Sequence, residues 1–150
     1  MGYRIRIAIP EDEPRIRELF IEMLQTIYHT EEVEGYESGC LDRYWKNGEE
    51  RILVAVDDSV VAYLSIEVHY EPEADYIYLD DLSVTESYRN LGIGSALIHE
   101  AEAYAQEIGI QHMLFHVEKS NTDAFRLYEK LGYKVFRDDG NRYMMIKDFS

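Results

Sequence analysis

Hydrophobic and polar positions along this chain follow two periods, and the period switches often. Tyr3, Ile5, Ile7 and Ile9 alternate with Arg4 and Arg6, which predicts a strand over 3–9 with its apolar residues on one face. Pro10 and the acidic run Glu11-Asp12-Glu13 close that strand and open a helix. In the helix Ile16, Leu19, Phe20, Met23, Leu24 and Ile27 recur three and four residues apart. The stretch 30–47 is acidic and less regular, with Gly35 and Gly39, and a short helix is predicted through Leu41, Tyr44 and Trp45. Two runs rich in Val, Ile and Tyr, 51–56 and 60–70, flank Asp57-Asp58-Ser59 and read as a hairpin.

A further strand is predicted over 76–84, then an amphipathic helix over 95–108 with Leu97, Ile98, Ala101, Tyr104, Ala105 and Ile108 inward, stopped by Gly109. A strand through Met113, Phe115 and Val117 follows, then a helix over 122–131 closed by Gly132. Strands over 133–136 and 143–146 flank the turn Asp138-Asp139-Gly140-Asn141. The order is β-α-(α)-β-β-β-α-β-α-β-β. Its hairpins imply antiparallel pairs and its β-α-β passage one parallel pair, so the expected class is α/β with a mixed, mostly antiparallel sheet flanked by helices.

Composition narrows this picture. A length of 150 residues, 46% hydrophobic, with no repeat, linker or low-complexity tract, predicts a single domain over 1–150. One cysteine, Cys40, leaves no internal disulfide framework and no cysteine-based zinc cluster. No apolar run reaches spanning length, and the start Met-Gly-Tyr-Arg has no apolar signal segment, so no membrane partner and a cytoplasmic place are expected. The net charge of −15 speaks against nucleic-acid binding, which needs Lys and Arg; it either keeps the protein in solution or suits a cationic partner.

The chemistry concentrates in one stretch. Along 76–84, Ile77 and Leu79 stand at odd positions but Leu82 and Val84 at even ones, so an inserted residue near Asp80-Asp81, a β-bulge, would return all four to one face. A strand buried on both faces explains the same pattern. Then comes Arg89-x-x-Gly92-x-Gly94 directly before a strong helix. Glycines allow close backbone approach, the first N–H groups of the helix are unsatisfied, and the helix dipole favours an anion there. Arg89 can add a charge-assisted bond to the same anion.

These residues resemble the GNAT superfamily of N-acetyltransferases. Its acetyl-CoA loop, Arg/Gln-x-x-Gly-x-Gly/Ala, stands here as Arg89-Asn90-Leu91-Gly92-Ile93-Gly94. Its later motif, roughly Asn-x-x-Ala-x-x-Leu-Tyr-x-x-x-Gly-Phe, stands as Asn121, Ala124, Leu127, Tyr128, Gly132 and Tyr133. Within the superfamily, Tyr78-Leu-Asp-Asp-Leu-Ser-Val84 is similar to the polyamine and diamine acetyltransferase branch. The resemblance implies the GNAT-type acyl-CoA N-acyltransferase fold and acetyl-CoA as cosubstrate without a metal. It also implies direct attack by a primary amine, the acceptor being a small cationic amine. A peptide amine, an aminoglycoside, or a CoA-binding module with little transfer are the alternatives, and a homodimer follows by analogy.

The implied cofactor residues are Leu82, Ser83, Val84, Arg89, Asn90, Leu91, Gly92, Ile93, Gly94, Ser95, Asn121 and Ala124. Leu82 and Val84 would pair through their backbones with the pantetheine arm, the Leu82 N–H polarising the thioester carbonyl, while their side chains stay in the core. Tyr128 is implied as the acid that protonates the leaving thiolate; spacing alone puts it on a core stripe with Ala124, Phe125 and Leu131. Asp80 stands where polyamine-type enzymes carry Glu, as a base directly, a base through water, or a substrate-binding group. Tyr78 occupies the position where histone-type members carry a glutamate base, which speaks against that particular mechanism. Tyr28, Glu67, Asp80 and Asp81 are candidates for the acceptor wall, with Glu31, Glu32 and Glu34 adding negative charge there. Asn121 also reads as a helix cap. His112 and His116, four apart on a strand, stand too far apart to share an ion.

Overall fold

The computed structural model describes residues 2–28 and 39–149. Among them the chain forms β1 (Arg4–Ile7), α1 (Glu13–Tyr28), β2 (Arg51–Asp57), β3 (Ser59–Tyr70), β4 (Asp75–Val84), α2 (Ile93–Glu107), β5 (His112–Glu118), α3 (Thr122–Lys130), β6 (Lys134–Asp138) and β7 (Arg142–Asp148). Short 3₁₀ turns occupy Pro10–Asp12, Asp42–Trp45 and Glu86–Tyr88. The strands make one mixed sheet in the order β1-β2-β3-β4-β5-β7-β6. β4 and β5 run parallel across the α2 crossover, while β1-β2, β2-β3, β5-β7 and β6-β7 are antiparallel. The α/β class and its element order therefore stand as the sequence predicts. Glu31, Glu32 and Glu34 lie outside the described residues. No helix among the described residues is long and apolar enough to cross a membrane.

Two compact units divide the chain, Met1–Ile66 with Asp81–Glu100, and Glu67–Asp80 with Ala101–Ser150. The first has its core around Ile16 and Leu19 of α1, packed with Ala8, Tyr44, Ile52, Val54, Val60 and Tyr63. Of the face set out by its three- and four-residue spacing, α1 buries Ile16 and Leu19 fully and Phe20, Met23 and Leu24 in part, while Ile27 is exposed. Full burial of such a side chain contributes about 1.5–3 kcal/mol. β1 departs from its expected pattern. Ile7 and Ile9 are 48% exposed, whereas Ala8 is buried. β1 ends the sheet order, and Arg6 is drawn into a two-pronged bond to Asp12 at 2.7 and 3.0 Å. Asp12 also accepts from the Ile9 N–H at 2.9 Å, and the Arg6 guanidinium holds its carboxyl below the usual range. That ion pair orients β1 where apolar alternation does not.

The second unit is built on β5, whose Met113, Leu114, Phe115 and Val117 are all buried, as expected for a strand with neighbours on both sides. One buried polar cluster interrupts the apolar packing. The Tyr133 hydroxyl donates to Glu102 at 2.8 Å, and Lys147 donates to Glu102 at 3.2 Å and to the Leu131 carbonyl at 2.7 Å. This explains a tyrosine where the resembled motif has phenylalanine: its hydroxyl satisfies a buried carboxylate. β6, at the far end of the sheet order, is exposed along its whole length.

Candidate functional site

The first unit contains the glycine loop. Asn90 and Gly92 take positive φ, 63° and 83°, the left-handed region that Gly visits freely and Asn tolerates. Together they turn the chain into α2. The first bond of that helix runs from the Ala96 N–H to the Gly92 carbonyl at 3.0 Å, so the N–H groups of Ile93, Gly94 and Ser95 have no partner within the helix. A Cβ added at Gly92 would meet nothing within 4 Å, and one at Gly94 would meet only the Leu82 Cδ2 at 3.7 Å. No packing among the described residues demands glycine at 94, so the pair leaves an open backbone cradle at a helix N-terminus. Such a cradle fits a pyrophosphate. Leu91 is 47% exposed beside it, while Ile93 is buried and anchors the helix.

Arg89 is engaged by partners in the first unit. Its Nε donates to the Val84 carbonyl at 2.8 Å and its Nη2 to Glu22 of α1 at 3.0 Å. The same carboxylate accepts from the Thr85 hydroxyl at 2.8 Å and the Glu86 N–H at 3.0 Å. Glu22 therefore holds the β4–α2 connection by three bonds. Tyr88 adds a fourth restraint, donating to Asp57 at 2.9 Å. Glu22 and Asp57 carry no sequence signal, since they stand far from the motif.

β4 runs as one strand over Asp75–Val84, and its parallel pairing with β5 is recorded at Ile77 and Tyr78. Ile77, Leu79 and Ser83 are buried, and Leu82 and Val84 are half-buried, so these last two side chains do not join the fully buried core expected of them. Ser83 does, its hydroxyl donating to the Leu19 carbonyl at 3.0 Å.

The second unit contains Tyr128, Asn121 and Ala124 on and before α3. Asn121 caps that helix, its Oδ1 accepting the Ala124 N–H at 3.3 Å, as the sequence predicts. The Tyr128 ring meets Phe115 edge-on at 4.4 Å, and burial pushes its hydroxyl above the ordinary tyrosine value. A hydroxyl so placed stays protonated through the neutral range and can give a proton. The parallel ladder between β4 and β5 pairs Ile77 with Met113 and Tyr78 with Leu114. Asp80 lies two residues beyond Tyr78 and is exposed.

Of the acceptor-wall candidates, Tyr28 and Asp81 belong to the first unit and Glu67 and Asp80 to the second. Tyr28 is 62% exposed at the end of α1. Glu67 bonds His69 on its own strand at 2.9 Å, and His69 stacks on Tyr76 at 4.8 Å.

A hydrogen-bonded series that sequence reading missed stands in the second unit. The Tyr78 hydroxyl meets His116 Nδ1 at 2.6 Å, and His116 Nε2 meets Asp139 Oδ2 at 2.7 Å. Tyr78 and His116 are half-buried on neighbouring parallel strands. The nearest sequence signal was the spacing of His112 and His116, but His112 bonds Asp148 instead. Among the described residues no group of three or more His, Cys, Asp or Glu side chains could hold a metal.

Comparison with known proteins gives a family. A model of the acetyltransferase (GNAT) family matches residues 15–133, which include the glycine loop and the Asn121–Tyr133 motif. The chain is similar to the N-terminal acetyltransferase A complex catalytic subunit ard1 of Schizosaccharomyces pombe, 31% identical over 102 residues. That match covers 61% of this chain and 58% of the relative, so the chain spans less than two thirds of that protein's length. Among solved structures, the PaiA N-acetyltransferase from Thermoplasma acidophilum in complex with coenzyme A has a TM-score of 0.80 at 22% identity, covering 99% of both chains. Arabidopsis thaliana NAA60 with a bisubstrate analogue has a TM-score of 0.77 at 21% identity, covering 98% of both chains. At these identities the structures share the fold.

Proposed function

This chain belongs to the acetyltransferase (GNAT) family, and from that premise we propose that it transfers an acetyl group from acetyl-CoA to a primary amine. The reaction is direct attack of the neutral amine on the thioester carbonyl. The glycine cradle at the start of α2 receives the pyrophosphate of CoA, and the half-buried edge of Leu82 and Val84 receives the pantetheine arm. Arg89 serves this site by holding the loop to α1, since its Nε and Nη2 are already bonded to Val84 and Glu22. Tyr128 gives its proton to the departing thiolate.

The observation that carries the reading is the hydrogen-bonded contact between Tyr78 and His116. Amine attack releases a proton from the tetrahedral intermediate, and Tyr78 with His116 is a group able to take it. Asp80 then serves acceptor binding.

The acceptor we favour is the α-amino group of a peptide or protein. Such amines have an ordinary pKa of about 7.7–8.0, so much of the group is neutral near pH 7.5 and needs only a proton acceptor during attack. A Tyr–His pair supplies that. Similarity to the catalytic subunit of the Schizosaccharomyces pombe N-terminal acetyltransferase A complex supports the same choice. A second reading, a small cationic amine, is favoured by the net charge of −15 and by Glu67, Asp80 and Asp81. An alkylamine with a pKa of about 10.4 arrives charged and needs such carboxylates.

Release of free CoA thiol separates these readings. Peptides with a free N-terminus should support turnover, and the same peptides with a blocked N-terminus should not. Polyamines or diamines that outrun every peptide would move the assignment to the second reading. No turnover on any amine, with acetyl-CoA bound, would leave a CoA-binding module.

A further inference from the structure

Asp139 lies in the turn between β6 and β7, and the fold gives it a task beyond that turn. We propose that Asp139, held by Arg137, is a positioning residue that fixes the tautomer of His116 and so makes His116 Nδ1 the proton acceptor for Tyr78. This rests on the base assignment above and deepens it.

The argument starts at the carboxylate. Arg137 donates from Nε to Asp139 Oδ1 at 2.7 Å and from Nη2 to Oδ2 at 3.1 Å. Asp139 Oδ2 is shared with His116 Nε2 at 2.7 Å. The bond from Arg137, and then that from His116, hold the Asp139 carboxyl down at about 2. It is an anion throughout the neutral range and can only accept. The bond to His116 therefore carries its hydrogen on Nε2. A neutral imidazole has one N–H, so Nδ1 presents a lone pair, and the Tyr78 hydroxyl donates into it at 2.6 Å. With the opposite tautomer, Nδ1 would carry a proton and could take none from Tyr78.

The turn is held firmly enough for this. The Asp139 N–H donates to the Arg142 carbonyl at 2.8 Å, and the Lys119 N–H donates to the Asn141 carbonyl at 2.9 Å. Asp138 accepts from the Gly140 N–H at 3.0 Å and from Lys119 Nζ at 2.7 and 2.8 Å. A turn that only had to close a hairpin would not need its second aspartate aimed at a half-buried histidine on β5.

The proton then has a defined course. As the N–C bond forms, the amine proton moves to Tyr78 Oη while the Tyr78 proton moves to His116 Nδ1. The imidazolium donates one N–H to Asp139 and the other back to Tyr78. It loses its extra proton to solvent after product leaves, and Tyr128, which separately supplies the thiolate proton, regains one from solvent. One proton enters the series per turnover and one leaves it.

The test reads the tautomer and the rate together, on protein with nitrogen-labelled histidine. His116→Gln assigns the His116 signals. The unaltered protein should show a protonated Nε2 and a bare Nδ1. In Asp139→Asn the amide can serve either tautomer, so the preference should be lost and kcat should fall about a hundredfold or more, within the range of general-base and tautomer-fixing effects. Asp139→Glu should restore part of both. If His116 keeps the Nε2–H tautomer in Asp139→Asn, or kcat is unchanged, the proposal is overturned. Should Asp139→Asn not fold, Arg137→Gln is read the same way, with a smaller loss expected and unchanged tautomer and kcat overturning it. Tyr78→Phe keeps the two levels apart: full kcat in that variant removes the base assignment itself, whatever the tautomer of His116.

Discussion

The glycine loop of the first unit and the Tyr78–His116–Asp139 series of the second are built in opposite ways. The loop is local. Asn90, Gly92 and the first turn of α2 lie within a few residues, and backbone geometry alone makes the cradle. Side chains enter only as outside braces, chiefly Glu22. The series is non-local. Tyr78 and His116 are 38 residues apart and His116 and Asp139 are 23 apart, so the site exists only when β4, β5 and the β6–β7 turn are in place. Backbone-built sites tolerate side-chain change around them, whereas side-chain series fail when one member is lost.

That contrast can be broken by mutation. The largest effect is expected from Tyr78→Phe, which removes one hydroxyl and should lower kcat about 10²- to 10³-fold. Steady-state rates at saturating substrates measure it, and a variant with near-normal kcat would place the proton acceptor elsewhere. Tyr128→Phe should lower kcat about a hundredfold. Because burial holds the Tyr128 hydroxyl above its usual value, its acid form persists as pH rises, so Tyr128-dependent activity should show no alkaline decline below about pH 10. A decline near neutrality that vanishes in Tyr128→Phe would contradict that.

The loop should respond differently. Glu22→Gln removes the charge that three donors share, and should raise the KM for acetyl-CoA about tenfold, corresponding to about 1.4 kcal/mol, with a much smaller change in kcat. A fall in kcat with KM untouched would mean that the loop brace acts on chemistry and would erase the distinction. The smallest effect belongs to acid stability. Asp139 has a folded pKa of about 2, below the ordinary aspartate value of about 3.9. Its contribution is therefore present above about pH 4 and is lost as pH falls through about 2. Urea melts of the unaltered protein and Asp139→Asn should converge across that window.

The same contrast decides what the sequence could reveal. Spacing of apolar residues gave the helices and strands, because burial acts on every third, fourth or second position. The loop was readable because its glycines, Arg89 and helix are contiguous, and Asn121 because a cap acts on its own helix. The series was not, because nothing local ties Tyr78 to His116 or to Asp139. His116 looked like half of a spaced histidine pair, and Asp139 like a turn residue. β1 misled for a related reason: its alternation was real, but the Arg6–Asp12 pair, six residues apart, overrode it. Leu82 and Val84 are half-buried where spacing alone predicts core residues, because apolar character does not say how fully a side chain is covered.

The position of β7 has a consequence for how the second unit assembles. Last of the strands in the sequence, it lies between β5 and β6 in the sheet. Its pairing with β6 closes only the short Asp138–Asn141 turn, at small entropic cost, whereas its pairing with β5 must gather a long intervening chain. The β6–β7 hairpin is thus cheap to form and its docking on β5 is the costly event. Docking is also what carries Asp139 to His116. Slow amide exchange along β5 and β7 would report the docked hairpin, and its fluctuations away from β5 would switch the proton acceptor off while leaving the glycine loop intact.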